Sequence, residues 1–139
     1  MKKPLLIFTL KCSIILYFVA CTGINDNAGA VAATPYVTKG TWKVNLVTHS
    51  NNDETAELSG YLLNFDVSGK ITASKNGKVV TGNWAEDEIQ KRITINLDTK
   101  DPDLTILNAY WNISTASSNR VSLKNTENPS KSRLLMTSL

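Results

Sequence analysis

Few side chains in this sequence have the type and spacing to do chemistry. His49 is its single histidine. With no cysteine near it in the folded part, it lacks the four nitrogen or sulfur ligands of an ordinary zinc site. It reads as a solvated strand-end residue. Asp53 with Glu54, and Asp98 with Asp101 and Asp103, gather carboxylates in two loops. Calcium takes six to eight oxygens, and neither loop has the spacing and glycine of an EF-hand, so both read as turn residues. The same acids make a poor pair for glycoside hydrolysis, because nothing places them across a cleft. Serines are plentiful, yet none sits in a nucleophile-elbow motif that would favour a Ser-His-Asp triad. The expectation is a protein without a catalytic residue, metal or cofactor, and not an enzyme.

The two cysteines carry more information. Residues 1–20 begin with Lys2 and Lys3, continue into an apolar stretch and end in small residues, the layout of a secretory signal. Lys11 interrupts the stretch, and 13–20 is shorter than the ~20 apolar residues a spanning helix needs. The segment is expected to be removed, taking Cys12 with it. Phe18-Val19-Ala20-Cys21 resembles the lipobox of bacterial lipoproteins. That resemblance implies that Cys21 is acylated, for example with palmitate, and becomes the new N-terminus. Each buried methylene of such a chain is worth ~0.8 kcal/mol, and more than one chain gives stable anchoring. Thr22 follows where inner-membrane retention uses Asp, so the same resemblance implies the outer membrane of the cell envelope.

Removing the signal also removes the apparent basic character. The formal charge of +3 corresponds to Lys2, Lys3 and Lys11, so the remainder is balanced and has no cationic cluster to track phosphates. Nucleic acid is not an expected partner. What is left suffices for one domain and not two, and it must fold without a disulfide. Residues 21–38 are small and polar and are expected to be the lipidated N-terminus and a flexible tether, with the folded domain at 39–139.

That domain is patterned for β-structure. From Tyr61 to Trp84, alternating apolar segments are punctuated by Ser68-Gly69 and Asn76-Gly77, where tight turns need positive φ. Tyr61, Leu63, Phe65 and Val67 are predicted to face inward. Before this meander, Trp42, Val44 and Leu46 alternate in a first strand. After it, Glu86, Asp87 and Glu88 mark a turn, and Ile93, Ile95 and Leu97 alternate in a further strand. Residues 104–113 are predicted as one strand whose change of parity near Leu107 reflects a bulge or a partly buried outer face. Residues 120–124 and 132–139 complete about eight strands with short polar connections. The predicted fold is all-β, an antiparallel up-and-down barrel.

Gly40-Thr41-Trp42 on the first strand resembles the Gly-x-Trp motif of lipocalins, and Gly82-Asn83-Trp84 repeats its spacing. With Asp53 to Thr55, Gly60-Tyr61, Phe65 and Trp111, the order is similar to that of small lipocalin-like lipoproteins of Gram-negative bacteria. The resemblance implies barrel-closing roles for Gly40, Trp42, Gly82 and Trp84, and a small apolar ligand held near Tyr61, Phe65 and Trp111. Bulky aromatics can equally fill a barrel of eight strands. A filled barrel would act as a protein-interaction or inhibitor module, meeting an envelope protein through loops 49–57, 86–88 and 125–130.

Overall fold

The structure is a computed structural model that describes residues 31–139. The predicted signal, Cys12, Cys21 and most of the tether lie outside the described residues. Short helix α1 (Thr34–Val37) precedes β1 (Thr41–His49) and the two-residue β2 (Asn52–Asp53). Then come β3 (Leu62–Phe65), β4 (Lys70–Lys75), β5 (Lys78–Asp87) and β6 (Arg92–Leu97). Helix α2 (Pro102–Thr105) leads to β7 (Ala109–Ala116), β8 (Arg120–Asn125) and β9 (Arg133–Ser138). Each strand from β3 onward pairs antiparallel with the next, and β9 returns to β1, closing an 8-stranded up-and-down barrel. Closure leaves no long unpaired edge in the wall.

Alternation builds the wall as expected. Leu63, Phe65, Ile71, Ala73, Ile93, Ile95, Trp111, Ile113, Val121 and Leu123 point into a single buried core, and their strand neighbours face solvent. Gly69, Asn76 and Gly77 have φ of 87°, 51° and 79°, the left-handed geometry the turn pairs imply.

Four local expectations are corrected. In β1 the register shifts between Val44 and Leu46, so Asn45 is an extra residue and Val47, not Leu46, enters the core. Val67 is 80% exposed: Asp66 N–H already donates to Lys70 O, so the chain leaves the strand one residue earlier than alternation suggests. The parity change near Leu107 is neither a bulge there nor a buried outer face. Asp101 caps a helical turn through the Asp103 N–H, which lets Leu104 and Leu107 both point inward before β7 begins at Ala109. The bulge of β7 lies further on, between Ile113 and Thr115. Finally, packed structure reaches back to Ala33, inside the segment assigned to the tether, because Ala33 and Val37 are fully buried on one face of α1.

The barrel therefore has two lids. At the end where β1 starts, α1 lies across the opening. Ala33 N–H (2.8 Å) and Thr34 N–H (2.7 Å) donate to the Glu86 carboxylate, as does the Thr34 hydroxyl. At the opposite end, Leu58 from the 54–61 loop and Leu104 and Leu107 from the α2 segment are buried.

Candidate functional site

The tryptophans connect the wall to its lids. Trp42, fully buried, donates from Nε1 to Val37 O at 2.9 Å and holds α1 down. Trp111 does the same for α2 through Leu107 O at 2.9 Å. Trp84 donates to Asp66 O at 2.8 Å, fixing the β3–β4 turn, and meets Phe65 edge-to-face with ring centroids 5.4 Å apart. A buried indole needs a partner for its N–H, and here each partner is a carbonyl of a closing segment. The two glycines of the Gly-x-Trp motifs differ. A Cβ on Gly40 would meet nothing within 4 Å, whereas one on Gly82 would strike the β6 backbone at Asn96 and Leu97.

Tyr61, Phe65 and Trp111, the residues on which a ligand was expected, are 5%, 3% and 1% exposed. The structure brings Phe65 against Trp84 and sends Tyr61 to the α2 end. There the Tyr61 hydroxyl approaches Asp101 Oδ2 at 3.4 Å, Lys78 Nζ lies 3.2 Å from the same oxygen, and Lys75 Nζ stands 4.9 Å above the Tyr61 ring. The hydrogen bond from Lys78 holds the Asp101 carboxyl below the usual carboxylate range. Burial, followed by the Asp101 charge, pushes the Tyr61 phenol up.

The signs of these shifts make a testable pair. A lowered Asp101 stabilises the fold above the ordinary carboxylate pKa, and that contribution is lost as pH falls through its folded value. A raised Tyr61 contributes below the ordinary phenol pKa and is lost as pH climbs through its folded value. Asp101→Asn should therefore flatten the acid limb of a stability-versus-pH curve and, by removing one of the causes that raise Tyr61, weaken the alkaline limb in part, whereas Tyr61→Phe should act mainly on the alkaline limb. Unchanged acid sensitivity in Asp101→Asn, followed by thermal melts from pH 7 downward, would contradict the assignment.

The remaining acids of the loops serve local turns. Asp53 accepts from Thr55 N–H at 3.0 Å and Asp66 from Ser68 N–H at 2.8 Å, and both carboxyls are lowered, first by the hydroxyls of Thr55 and Ser68 and then by those backbone bonds. Among the described residues no three His, Cys, Asp or Glu side chains converge as metal ligands.

The openings lie elsewhere, on the outside of the wall. A hollow of about 280 Å³ is lined by His49, Thr105, Ile106, Asn125, Thr126 and Glu127, together with Asn108, Ala109 and Tyr110. A second, of about 210 Å³, shares Asn108, Ala109 and Tyr110 and continues over Thr94, Ile95 and Asn96. Tyr110 stands between them, half exposed, with Arg92 5.1 Å from its ring centroid. Asn108 is fixed by paired bonds to Leu97, through its Oδ1 from Leu97 N–H at 2.7 Å and its Nδ2 to Leu97 O at 3.0 Å. Sequence reasoning placed His49 and the 125–130 loop near a recognition surface but did not single out Tyr110. Its signal was present: it carries an aromatic ring at the parity opposite to Trp111, on a face otherwise given to Thr94, Asn96 and Asn112.

No family model matches this chain, and no curated protein matches it. A crystal structure of a DUF4847 family protein from Bacteroides vulgatus is similar, with a TM-score of 0.58 at 17% sequence identity, covering 75% of this chain and 95% of that one. The likeness bears on the β-barrel fold alone.

Proposed function

We propose that this chain is a lipid-anchored protein of the cell envelope, held through Cys21 at the outer membrane, that recognises a partner on the outside of a filled barrel and is not a carrier of apolar ligands. One observation carries the choice between the two classes. Both ends are lidded, and the inward aromatics that a carrier would offer its ligand are packed against the lids and one another. A carrier needs an enclosed cavity of some hundreds of Å³ walled by apolar groups. The hollows on either side of Tyr110 are instead open to solvent, and amide, hydroxyl and carboxylate groups mix with apolar ones in their lining.

Their chemistry suits a neutral, hydroxyl-rich ligand such as a glycan. An exposed aromatic face takes the C–H face of a sugar ring, and amide, hydroxyl and carboxylate groups around it exchange hydrogen bonds with the hydroxyls. Neither hollow has a lysine or arginine in its lining, which disfavours a polyanion.

The expected result on an array of envelope and dietary glycans is retention of the mature chain by at least one neutral glycan. Tyr110→Ala should weaken that retention about tenfold, the loss of one stacking contact plus its hydrogen bond, with an unchanged melting temperature. Native mass spectrometry against an envelope lipid extract should find the folded chain unliganded. A retained lipid mass, or retention indifferent to Tyr110→Ala, would overturn the reading.

A further inference from the structure

Of the six large apolar or aromatic side chains exposed among the described residues, four lie at one end of the barrel, while Val79, 59% exposed, and Tyr110 lie away from it. Ile89 is 94% exposed at the β5–β6 turn and Val67 80% exposed at the β3–β4 turn. These turns are neighbours: Val67 and Glu88 line one hollow of about 380 Å³ together with Thr34 of α1. Leu139, 71% exposed, is held at the same end by its N–H to Thr41 O at 3.0 Å, and Val31, 49% exposed, enters α1 there. A β-branched residue at the tip of a tight turn has no packing reason in the fold; polar residues serve turns better.

Both signs of charge occur at this end. Two of its carboxylates are already engaged, Glu86 by α1 and Asp87 by Arg92 at 3.6 Å. Lys39, Lys70 and Arg120 are exposed at this end, as are Asp66 beside Val67 and Glu88 beside Ile89. Apolar tips with cations at the same end suit a headgroup layer, into which small apolar groups dip while cations meet lipid phosphates. Val79 and Tyr110 apart, the most exposed side chains on the remainder of the wall are polar, the reverse of a membrane-spanning barrel, so contact with a bilayer is confined to an end.

The chain itself selects that end. Residues 21–31 reach at most about 35 Å when fully extended, and they join the fold at α1. We infer that the α1 end of the barrel, through Val67 and Ile89, docks on the surface of the bilayer in which Cys21 is anchored, which turns the α2 end and its rim outward. This rests on the lipoprotein reading of Cys21 given above.

The test imposes the anchor chemically, so that it does not depend on cellular acylation. The chain beginning at Cys21 has that cysteine as its single thiol, which can be coupled to a maleimide lipid in phosphatidylethanolamine–phosphatidylglycerol vesicles. Hydrogen exchange of the tethered protein is then compared with that of the free one. Amides of 66–70 and 86–91 should slow at least threefold on the vesicle, and those of 74–79 at the far end should not change. Val67→Asp with Ile89→Asp should abolish the slowing, and because both side chains are exposed the fold should tolerate them. No slowing at either turn, equal slowing at 74–79, slowing that survives the double substitution, or slowing without vesicles that grows with protein concentration would each overturn the inference, the last in favour of a second copy. Failure of the anchor reading shows separately, as Cys21→Ser protein that still fractionates with cell membranes.

Discussion

Trp42→Ala should remove about 3–5 kcal/mol of stability, the cost of an aromatic-to-alanine cavity in a core. Because domains of this size are stable by only about 5–15 kcal/mol, the variant is expected to be partly unfolded at 37 °C. Two effects add at this site. The indole is fully buried among the inward side chains, and its N–H is the donor that pins Val37 O of α1. Trp42→Phe separates them, since it keeps most of the ring while leaving the Val37 carbonyl without its donor. It should cost about 1–3 kcal/mol, within the range for an orphaned buried polar group and some lost volume. Denaturant titration gives both values. Amide exchange at α1 should rise in both variants, although the Glu86 bonds to Ala33 and Thr34 remain. A loss below 1 kcal/mol for Trp42→Ala would mean that the first strand does not turn this residue into the barrel.

The wall was legible in the sequence because most of its strands are half buried, β5 excepted, where Trp84 is the one buried residue. One face then has to be apolar and the other polar, and a period of two survives in the residues themselves. The up-and-down order follows from connections too short for anything but neighbouring antiparallel strands. What alternation could not show were places where one residue is added or a few turn helical. The extra residue at Asn45 leaves no trace, because Leu46 and Val47 are both apolar and either parity looks acceptable. The two lids hid for a related reason. Pro35 and Pro102 each stand in the first turn of a four-residue helix, where proline is favoured, yet four residues are too few to display a helical period. Leu104 and Leu107 were consequently read into the strand that follows.

The candidate site was less legible than the core, and the reason is physical. Aromatics are used both to fill barrels and to bind ligands, and inward parity alone favours neither. Tyr61 and Trp111 turn their polar atoms to the α2 end, and Phe65 meets Trp84, contacts that parity does not show. Tyr110 is the opposite case. Its importance comes from hollows formed by residues remote in sequence, His49 on one side and Thr94 and Asn96 on the other. Such an arrangement exists only after the barrel has closed.

The two Gly-x-Trp motifs look alike in the sequence and should respond in opposite ways to one methyl group. Gly82 pairs with Leu97 across β5 and β6, and a Cβ there would stand 2.6 Å from Leu97 Cα and against the carbonyl oxygen of Asn96. Both are backbone atoms, so no side-chain rotation relieves the contact, and the two strands must separate. Gly82→Ala should therefore cost about 3 kcal/mol, the upper part of the usual range for overpacking, and should loosen Trp84 two residues on. At Gly40 the added methyl meets nothing within 4 Å and φ is not positive, so Gly40→Ala should stay within about 0.5 kcal/mol of the parent. The pair is measured by parallel denaturant titrations, with the fluorescence of Trp84 as a local reporter. Equal losses at both positions would mean that the close approach at Gly82 is not what distinguishes the two glycines, since the lower entropy of the unfolded chain by itself makes Gly→Ala stabilising. A loss confined to Gly82 assigns it to the close approach of β5 and β6, the contact that lets the wall coil tightly enough to close with its core filled.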